Sequence, residues 1–189
     1  MEDFVRVYDG ALPGDVCADI VARFERDLEH QFSGSVSGQH GESVRKDLKQ
    51  ATELLTQSPG WEDVDALFYE SVSRHLDLYL RDVAELVSFP GSGLGDQAYR
   101  IRRYAVGEGF DWHIDNASKE TFPRVLAAQW YLNSVDRGGE TEFRASGRKI
   151  ACVQGRLALF PVQWTLSHRG VPPLSGPKYV GITFFHPRF

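Results

Sequence analysis

The spacing of hydrophobic residues changes near the middle of the chain. In the first half they recur every three or four positions, a period typical of amphipathic helices. One helix is predicted after residues 12–15, where Pro and Gly precede an Asp, with an apolar face of Val16, Ile20, Val21, Phe24 and Leu28. A second is predicted from about Trp61, with an apolar face of Val64, Phe68, Val72, Leu76, Tyr79 and Val83. We expect both faces to pack in the core.

The second half contains short apolar runs separated by Gly and Pro, which is typical of strands and turns. The runs are AYRIRRYAV, FDWHIDN, RVLAAQWYLN, ETEFRA, KIACV, RLALFPV and KYVGITFF. Many short strands predict a sandwich or barrel-like pair of sheets, with the helices packed on one sheet. We therefore expect an α+β fold in one domain, with residues 1–96 as mainly helical support and residues 97–189 as the strand-rich core.

Two segments between the helices need separate interpretation. Residues 32–43 are rich in Gly and Ser and predict a flexible loop. Residues 44–50 (VRKDLKQ) follow it and are interpreted as a strand.

Composition and charge exclude some classes of protein. The net charge of −5 disfavours broad binding to nucleic acid or to an acidic membrane, although Arg100, Arg102 and Arg103 leave room for a local basic groove. No apolar run approaches the roughly 20 residues of a membrane span, and the acidic N-terminal sequence lacks a signal-peptide pattern. Cys17 and Cys152 have no zinc-like spacing, so we expect two buried thiols and a cytoplasmic location.

The sequence His113-Ile114-Asp115 introduces candidate chemistry. On a strand, residues two apart share a face, so His113 and Asp115 would point together while Phe110, Trp112 and Ile114 face the helices. A buried imidazole and carboxylate need partners, and a metal ion is one. Two histidines and one carboxylate are the usual cage for non-haem Fe(II), with three positions open.

A further histidine is required to complete such a cage. His168 follows a predicted strand and is the natural candidate, with His186 as an alternative. His30, His40 and His75 lie in the loop region or on the second helix. From these residues alone, a surface pair or a satisfied core pair remains an open interpretation of His113 and Asp115.

Three sequence blocks in the same order make the chain resemble the prolyl 4-hydroxylase-like Fe(II)/2-oxoglutarate dioxygenases. The first block runs from Tyr104 through Gly107 and Phe110 to His113-x-Asp115. The second is YLN-x-V-x-x-GGET-x-F over residues 131–143. The third runs from Gly155 through His168 to Lys178-Tyr179, with the lysine ten residues after the histidine. Together the blocks lie within residues 99–186.

The resemblance implies a double-stranded β-helix with helices packed on its major sheet, and it implies a role for each matching residue. His113, Asp115 and His168 would be the iron ligands and catalytic residues. Lys178 would pair with the far carboxylate of 2-oxoglutarate, near Tyr104, Tyr131, Ile182 and Phe184. Ile182 stands where relatives often have a threonine, so the second contact to that carboxylate is an open question.

The resemblance also implies the reaction. Fe(II), 2-oxoglutarate and O2 would hydroxylate an unactivated C–H bond with release of succinate and CO2, and ascorbate could serve as reductant. The expected substrate is a prolyl residue in a peptide or protein. A free amino acid or a carrier-bound small molecule is the alternative substrate. Trp164 and Arg169 are candidate residues at the mouth of the active site. Residues 32–43 are either a lid over the substrate or an idle surface loop. We expect no nucleic-acid partner and no membrane partner; a demethylase of nucleic acid and a catalytically idle binding module are more remote alternatives.

Overall fold

The computed structural model describes residues 4–38, 41–45, 47–84 and 93–188. In this part of the chain it has two α-helices, α1 (Gly14–Arg26) and α2 (Glu62–Val83), and a short 3-10 helix (Trp164–Leu166). The strands of the first half are β1 (Arg6–Tyr8), β2 (Phe32–Ser33), β3 (Val36–Gly38), β4 (Gly41–Ser43), β5 (Thr52–Leu55) and β6 (Leu94–Asp96). Those of the second half are β7 (Arg100–Tyr104), β8 (Phe110–His113), β9 (Leu126–Tyr131), β10 (Thr141–Phe143), β11 (Lys149–Ile150), β12 (Leu157–Pro161), β13 (His168–Gly170) and β14 (Lys178–Pro187).

Two antiparallel sheets face each other. The major sheet has the order β1-β12-β9-β14-β7-β5-β2, with β6 also paired to β14, and the minor sheet has the order β11-β10-β13-β8. Side chains from both sheets share one buried cluster, in which Phe143 of β10 packs edge-on against Phe160 of β12 with ring centroids 5.2 Å apart. The double-stranded β-helix predicted from the sequence is confirmed.

The two helices cover the outer face of the major sheet. Alternation along β9 sends Trp130 towards the helices and Tyr131 towards the minor sheet. Phe68 of α2 stacks on Trp130 at 4.7 Å and is fully buried, which is worth roughly 2–3 kcal/mol. The approach requires a glycine in β14, since a Cβ atom at Gly181 would lie 2.5 Å from Phe68 Cζ.

All seven strands predicted in the second half are present, but the first half contributes more strand than the sequence indicated. β1 and β5 extend the major sheet, and β6 adds a further pairing. Residues 32–43, predicted as a loop, include the paired strands β3 and β4. The strand predicted over residues 44–50 is reduced to one bridge between Lys49 and Phe110, and the regular strand begins at Thr52.

The apolar face predicted for α1 is wrong at its last position. The helix ends at Arg26, and the next residue, Asp27, accepts a hydrogen bond from the backbone N–H of His30. Leu28 therefore lies beyond the helix and is 75% exposed.

The cysteines and the helices bear on the expectations drawn from composition. Cys17 and Cys152 are both free and buried, as predicted. Within the described ranges, neither helix combines the length and the hydropathy that crossing a bilayer requires.

Candidate active site

Two imidazoles are brought together by the register of the minor sheet. His113 is the last residue of β8, and its direct partner across the strand pair is His168, the first residue of β13. Their ring centroids are 4.4 Å apart, and the Phe110 ring stacks on His113 at 3.4 Å. The positions of both histidines are therefore set by backbone pairing.

Asp115 completes the cluster from a turn that follows β8. Its Oδ1 lies 3.5 Å from His113 Nε2, and its Oδ2 lies 3.3 Å from His168 Nε2. One ligand atom from each of the three residues lies within 4.8 Å of the others. Burial alone would raise the pKa of Asp115, but the neighbouring imidazoles outweigh it and hold this pKa well below its usual range. The carboxylate is therefore ionised at neutral pH.

The hydrogen bonds of the two imidazoles indicate which nitrogen faces the cluster. His113 Nδ1 lies 2.7 Å from the carbonyl oxygen of Asp111, and His168 Nδ1 lies 3.2 Å from that of Leu166. When a cation replaces the Nε2 protons that otherwise interact with Asp115, a proton on each Nδ1 satisfies these carbonyls and each Nε2 lone pair is directed at the cation. Burial, with His168 as a second cause, lowers the pKa of His113 and favours its neutral form.

This donor set fits a divalent cation. Two Nε2 lone pairs and a carboxylate converge, and Asp115 Oδ2 is buried without a hydrogen-bond donor in the described part of the chain. Such lone pairs repel one another unless a cation lies between them. Two histidines and a carboxylate with open positions are the ligands that Fe(II) takes in non-haem oxygenases.

The predicted orientation of the flanking residues is wrong. Regular strand ends at His113, so Asp115 reaches its neighbour from a turn and not by strand alternation. Phe110, Trp112 and Ile114 do not face the helices, because β8 belongs to the minor sheet. Phe110 and Ile114 instead line a cavity, and Trp112 packs beneath the guanidinium of Arg169 at 4.7 Å.

A small inner cavity adjoins the cluster and contains Lys178. It is also lined by Tyr104, Gln129, Thr141 and Ile182. Lys178 is 2% exposed, and among the described residues no carboxylate forms an ion pair with its Nζ. Burial lowers the pKa of Lys178 to about 8. A buried ammonium in this position provides a site for an anion.

Two other predicted cosubstrate residues are placed differently. Tyr131 is not among the residues that line the inner cavity, but its ring centroid lies 5.3 Å from Lys178 Nζ and its hydroxyl donates to Thr141 Oγ1 at 2.7 Å. Gln129 Nε2 donates to the same oxygen at 2.9 Å, so the Thr141 hydroxyl proton is left to donate elsewhere. Phe184 lines the larger outer cavity. Thr141 was missed, although it is the threonine of the sequence block GGET.

The outer cavity, of about 380 Å³, opens beside His113 and Asp115. Its wall contains five basic side chains, of which the sequence indicated only Arg100 and Arg102 as part of a possible basic groove: Arg45, Lys49, Arg100, Arg102 and Arg124. Arg124 lies over the Phe184 ring at 3.9 Å and donates to the Asp115 carbonyl oxygen at 3.3 Å. The run of arginines at residues 100–103 was the available signal, and alternation along β7 turns Arg102 inward.

The remaining histidines lie away from the cluster. His30 pairs with Asp27 at 2.9 Å, and His75 contacts the Ser71 carbonyl oxygen. His186 lies at the far end of β14, where it pairs with Gly95. His40 falls outside the described residues.

The predicted mouth residues do not line the described cavities beside the metal cluster. Trp164 is 80% exposed on the 3-10 helix. Arg169 forms an ion pair with Glu142 at 2.6 Å, and it lines a separate groove of about 290 Å³ beside Leu48.

The chain is similar to known proteins in sequence pattern and in fold. The family model described as 2OG-Fe(II) oxygenase superfamily matches residues 99–186. The fold is similar to a Pseudomonas putida prolyl-4-hydroxylase, with 20% identity, a TM-score of 0.72, and coverage of 99% of this chain and 94% of the other. A Trichoplax adhaerens prolyl hydroxylase in complex with a hypoxia inducible factor peptide fragment gives 17% identity, a TM-score of 0.74, and coverage of 98% and 84%. A viral collagen prolyl hydroxylase from Paramecium Bursaria Chlorella virus-1, in complex with 2OG, gives 17% identity, a TM-score of 0.67, and coverage of 98% and 97%. No curated protein sequence matches significantly.

Proposed function

With its residues 99–186 in the 2OG-Fe(II) oxygenase superfamily, the chain is a dioxygenase that uses Fe(II), 2-oxoglutarate and O2, and we propose that it hydroxylates a prolyl residue in a peptide or protein. The resemblance predicted from sequence is thereby confirmed at the level of the superfamily. The roles of individual residues and the substrate are the proposal.

The observation that carries the proposal is the convergence of His113, Asp115 and His168. Their ligand atoms lie within 4.8 Å of one another, with His168 buried and the other two half-buried, and both Nε2 atoms can donate electron pairs to a cation. We assign these residues as the iron ligands. The carbonyl oxygens of Asp111 and Leu166 orient the imidazoles, a second layer of contacts that typically fixes ligand geometry.

Lys178 is assigned to the far carboxylate of 2-oxoglutarate. It lines the inner cavity together with His113, Asp115 and His168, so its ammonium and the three candidate metal ligands face the same space. The side chains of Tyr104 and Ile182 form the walls, and the Thr141 hydroxyl is a donor available to the same carboxylate. Thr141 thus supplies the second contact that the isoleucine at position 182 cannot.

When bound, Fe(II) and 2-oxoglutarate would activate O2, the oxidant that hydroxylates the C–H bond, with succinate and CO2 as co-products. The protein's own contribution is orientation and exclusion of water. His113 and Asp115 line both the inner cavity and the outer cavity. A substrate in the outer cavity and a cosubstrate in the inner one would therefore meet at the metal ligands.

The choice of a prolyl substrate is supported by similarity of fold to three prolyl hydroxylases, one of them with a bound peptide fragment. A free amino acid or a carrier-bound small molecule is the alternative, and the limited volume of the outer cavity favours it.

We also propose that residues 1–189 act as one domain and that ascorbate serves as reductant. We propose a cytoplasmic location as well, which the two free thiols support.

Turnover with defined substrates tests the proposal. The protein is incubated with Fe(II), 2-oxoglutarate and ascorbate, and succinate is measured while mass spectrometry follows proline peptides and free amino acids for a gain of one oxygen. Hydroxylated peptide with equimolar succinate is the expected result. Oxidation of a free amino acid alone would select the alternative substrate class, and a protein that binds neither metal nor 2-oxoglutarate would be an idle binding module.

A further inference from the structure

The outer cavity has a charge imbalance that the iron and 2-oxoglutarate sites do not use. Lys49, Arg100 and Arg102 all contact the single carboxylate of Glu53, which is fully buried behind the cavity wall. Arg102 Nε lies 2.9 Å from Glu53 Oε1, and Arg100 Nη1 lies 3.3 Å from Oε2. In the described ranges these three cations have no other carboxylate within ion-pair distance, so Glu53 offsets only one of their three positive charges. Asp115 is a more distant anion that also acts on Arg102.

Electrostatic effects on the same groups agree with this imbalance. Burial, followed by repulsion from Arg102, lowers the pKa of Lys49 to about 8. Burial alone would raise the pKa of Glu53, but Arg102 and Lys49 outweigh it and lower this pKa to about 2. Glu53 is therefore ionised at every physiological pH and still cannot neutralise three neighbours.

The proposed cosubstrate site does not account for two of these cations, Lys49 and Arg100. Lys49 and Arg100 line the outer cavity, whereas the inner cavity beside Lys178 includes neither of them. Arg102 lines both cavities. The side chain of Arg100 is 27% exposed, so its guanidinium is partly accessible to a ligand.

We propose that the outer cavity binds a substrate through a carboxylate, with Arg100 as the principal contact and Arg102 beside it. The inference rests on the proposed function, since it places the substrate in the cavity next to His113. It makes the enzyme selective for a target that bears a carboxylate close to the oxidised carbon. That group is either the α-carboxylate of an amino acid or of a C-terminal residue, or the side chain of an acidic residue beside the target.

Matched neutral and anionic probes test this selectivity by direct binding. The protein is loaded with Mn(II), which replaces Fe(II) without turnover, and with 2-oxoglutarate. Calorimetry then compares N-acetylproline with N-acetylproline amide, and a blocked Pro-Asp dipeptide with blocked Pro-Asn. The carboxylate member of one pair should bind at least about ten-fold more tightly, as is typical of a charge-assisted bidentate contact. The pair that shows the preference identifies the source of the carboxylate.

Arg100→Gln should abolish the preference while leaving the affinity for 2-oxoglutarate unchanged. The matched control is Arg26→Gln, which removes an exposed arginine from the last turn of α1 and should retain the preference. Equal binding within both pairs, no binding of any probe, or a preference that survives Arg100→Gln overturns the inference. Loss of Mn(II) or 2-oxoglutarate binding by the unaltered protein would instead overturn the proposed function itself.

Discussion

The buried ammonium of Lys178 should make 2-oxoglutarate binding depend on pH above neutrality. Without an anion nearby, burial lowers the pKa of Lys178 from 10.5 to about 8, which corresponds to about 3 kcal/mol against the charged form. A bound carboxylate favours the charged form and raises this pKa again. Binding must therefore take up a proton whenever the free protein has lost it.

The direction and size of the effect follow from this linkage. At pH 7 the free lysine is mostly protonated, and at pH 9 it is mostly neutral. The affinity for 2-oxoglutarate should therefore fall about ten-fold between pH 7 and pH 9, with uptake of about half a proton at pH 8. The stability of the cofactor-free protein should change in the opposite sense, rising as pH passes from about 8 towards 10.5, because unfolding then takes up the proton that burial had displaced.

Calorimetric titration of the Mn(II)-loaded protein measures the affinity for 2-oxoglutarate. Repeating the titration in two buffers with different ionisation enthalpies measures the proton uptake. Lys178→Arg keeps the charge throughout this range, so its affinity should not change between pH 7 and pH 9. Lys178→Met should weaken binding about 100-fold at pH 7, as expected when a buried charge loses its partner. A wild-type affinity that is independent of pH, without proton uptake, would refute the assignment of Lys178 to the cosubstrate.

Two further substitutions test the metal site and the packing of the fold. His168→Ala should abolish both Mn(II) binding and succinate formation while the far-UV circular dichroism is retained; normal turnover by this variant would contradict the ligand assignment. Gly181→Ala should lower the free energy of unfolding, measured by urea titration, by about 1–3 kcal/mol, because the new methyl group would overlap Phe68. Gly176→Ala is the control and should have little effect, because the space around its new methyl group is open.

The strands that could be predicted from the sequence contain a clear local pattern of apolar alternation and turn residues. The strands that could not be predicted lack such a pattern. β9 and β14 are long enough for apolar alternation and turn residues to define them, and both were found. β1 and β6 have only three residues each, and β6 follows a segment rich in Gly and Pro. Their strand conformation comes from pairing with β12 and β14, a long-range interaction that a local pattern does not contain.

The candidate active site likewise has residues that the sequence predicted and residues that meet only through long-range pairing. The three sequence blocks that carry the family resemblance selected His113, Asp115 and His168, which the structure brings together. The cation cluster around Glu53 was not predicted, because Glu53 lies in β5 and two of its partners lie in β7. These charges meet only when the two strands pair, with Glu53 directly opposite Arg102.

The cross-strand pairing of His113 with His168 has a consequence for folding. β8 is an edge strand of the minor sheet, whose strands have only two to four residues each. Such short strands hold together weakly on their own. A cation bound to both imidazoles would link β8 to β13, and by mass action it would favour the state in which the two strands are paired. Amide exchange should then slow most in β8 and β13 when metal is added, so the catalytic ion would also be a structural element of the fold.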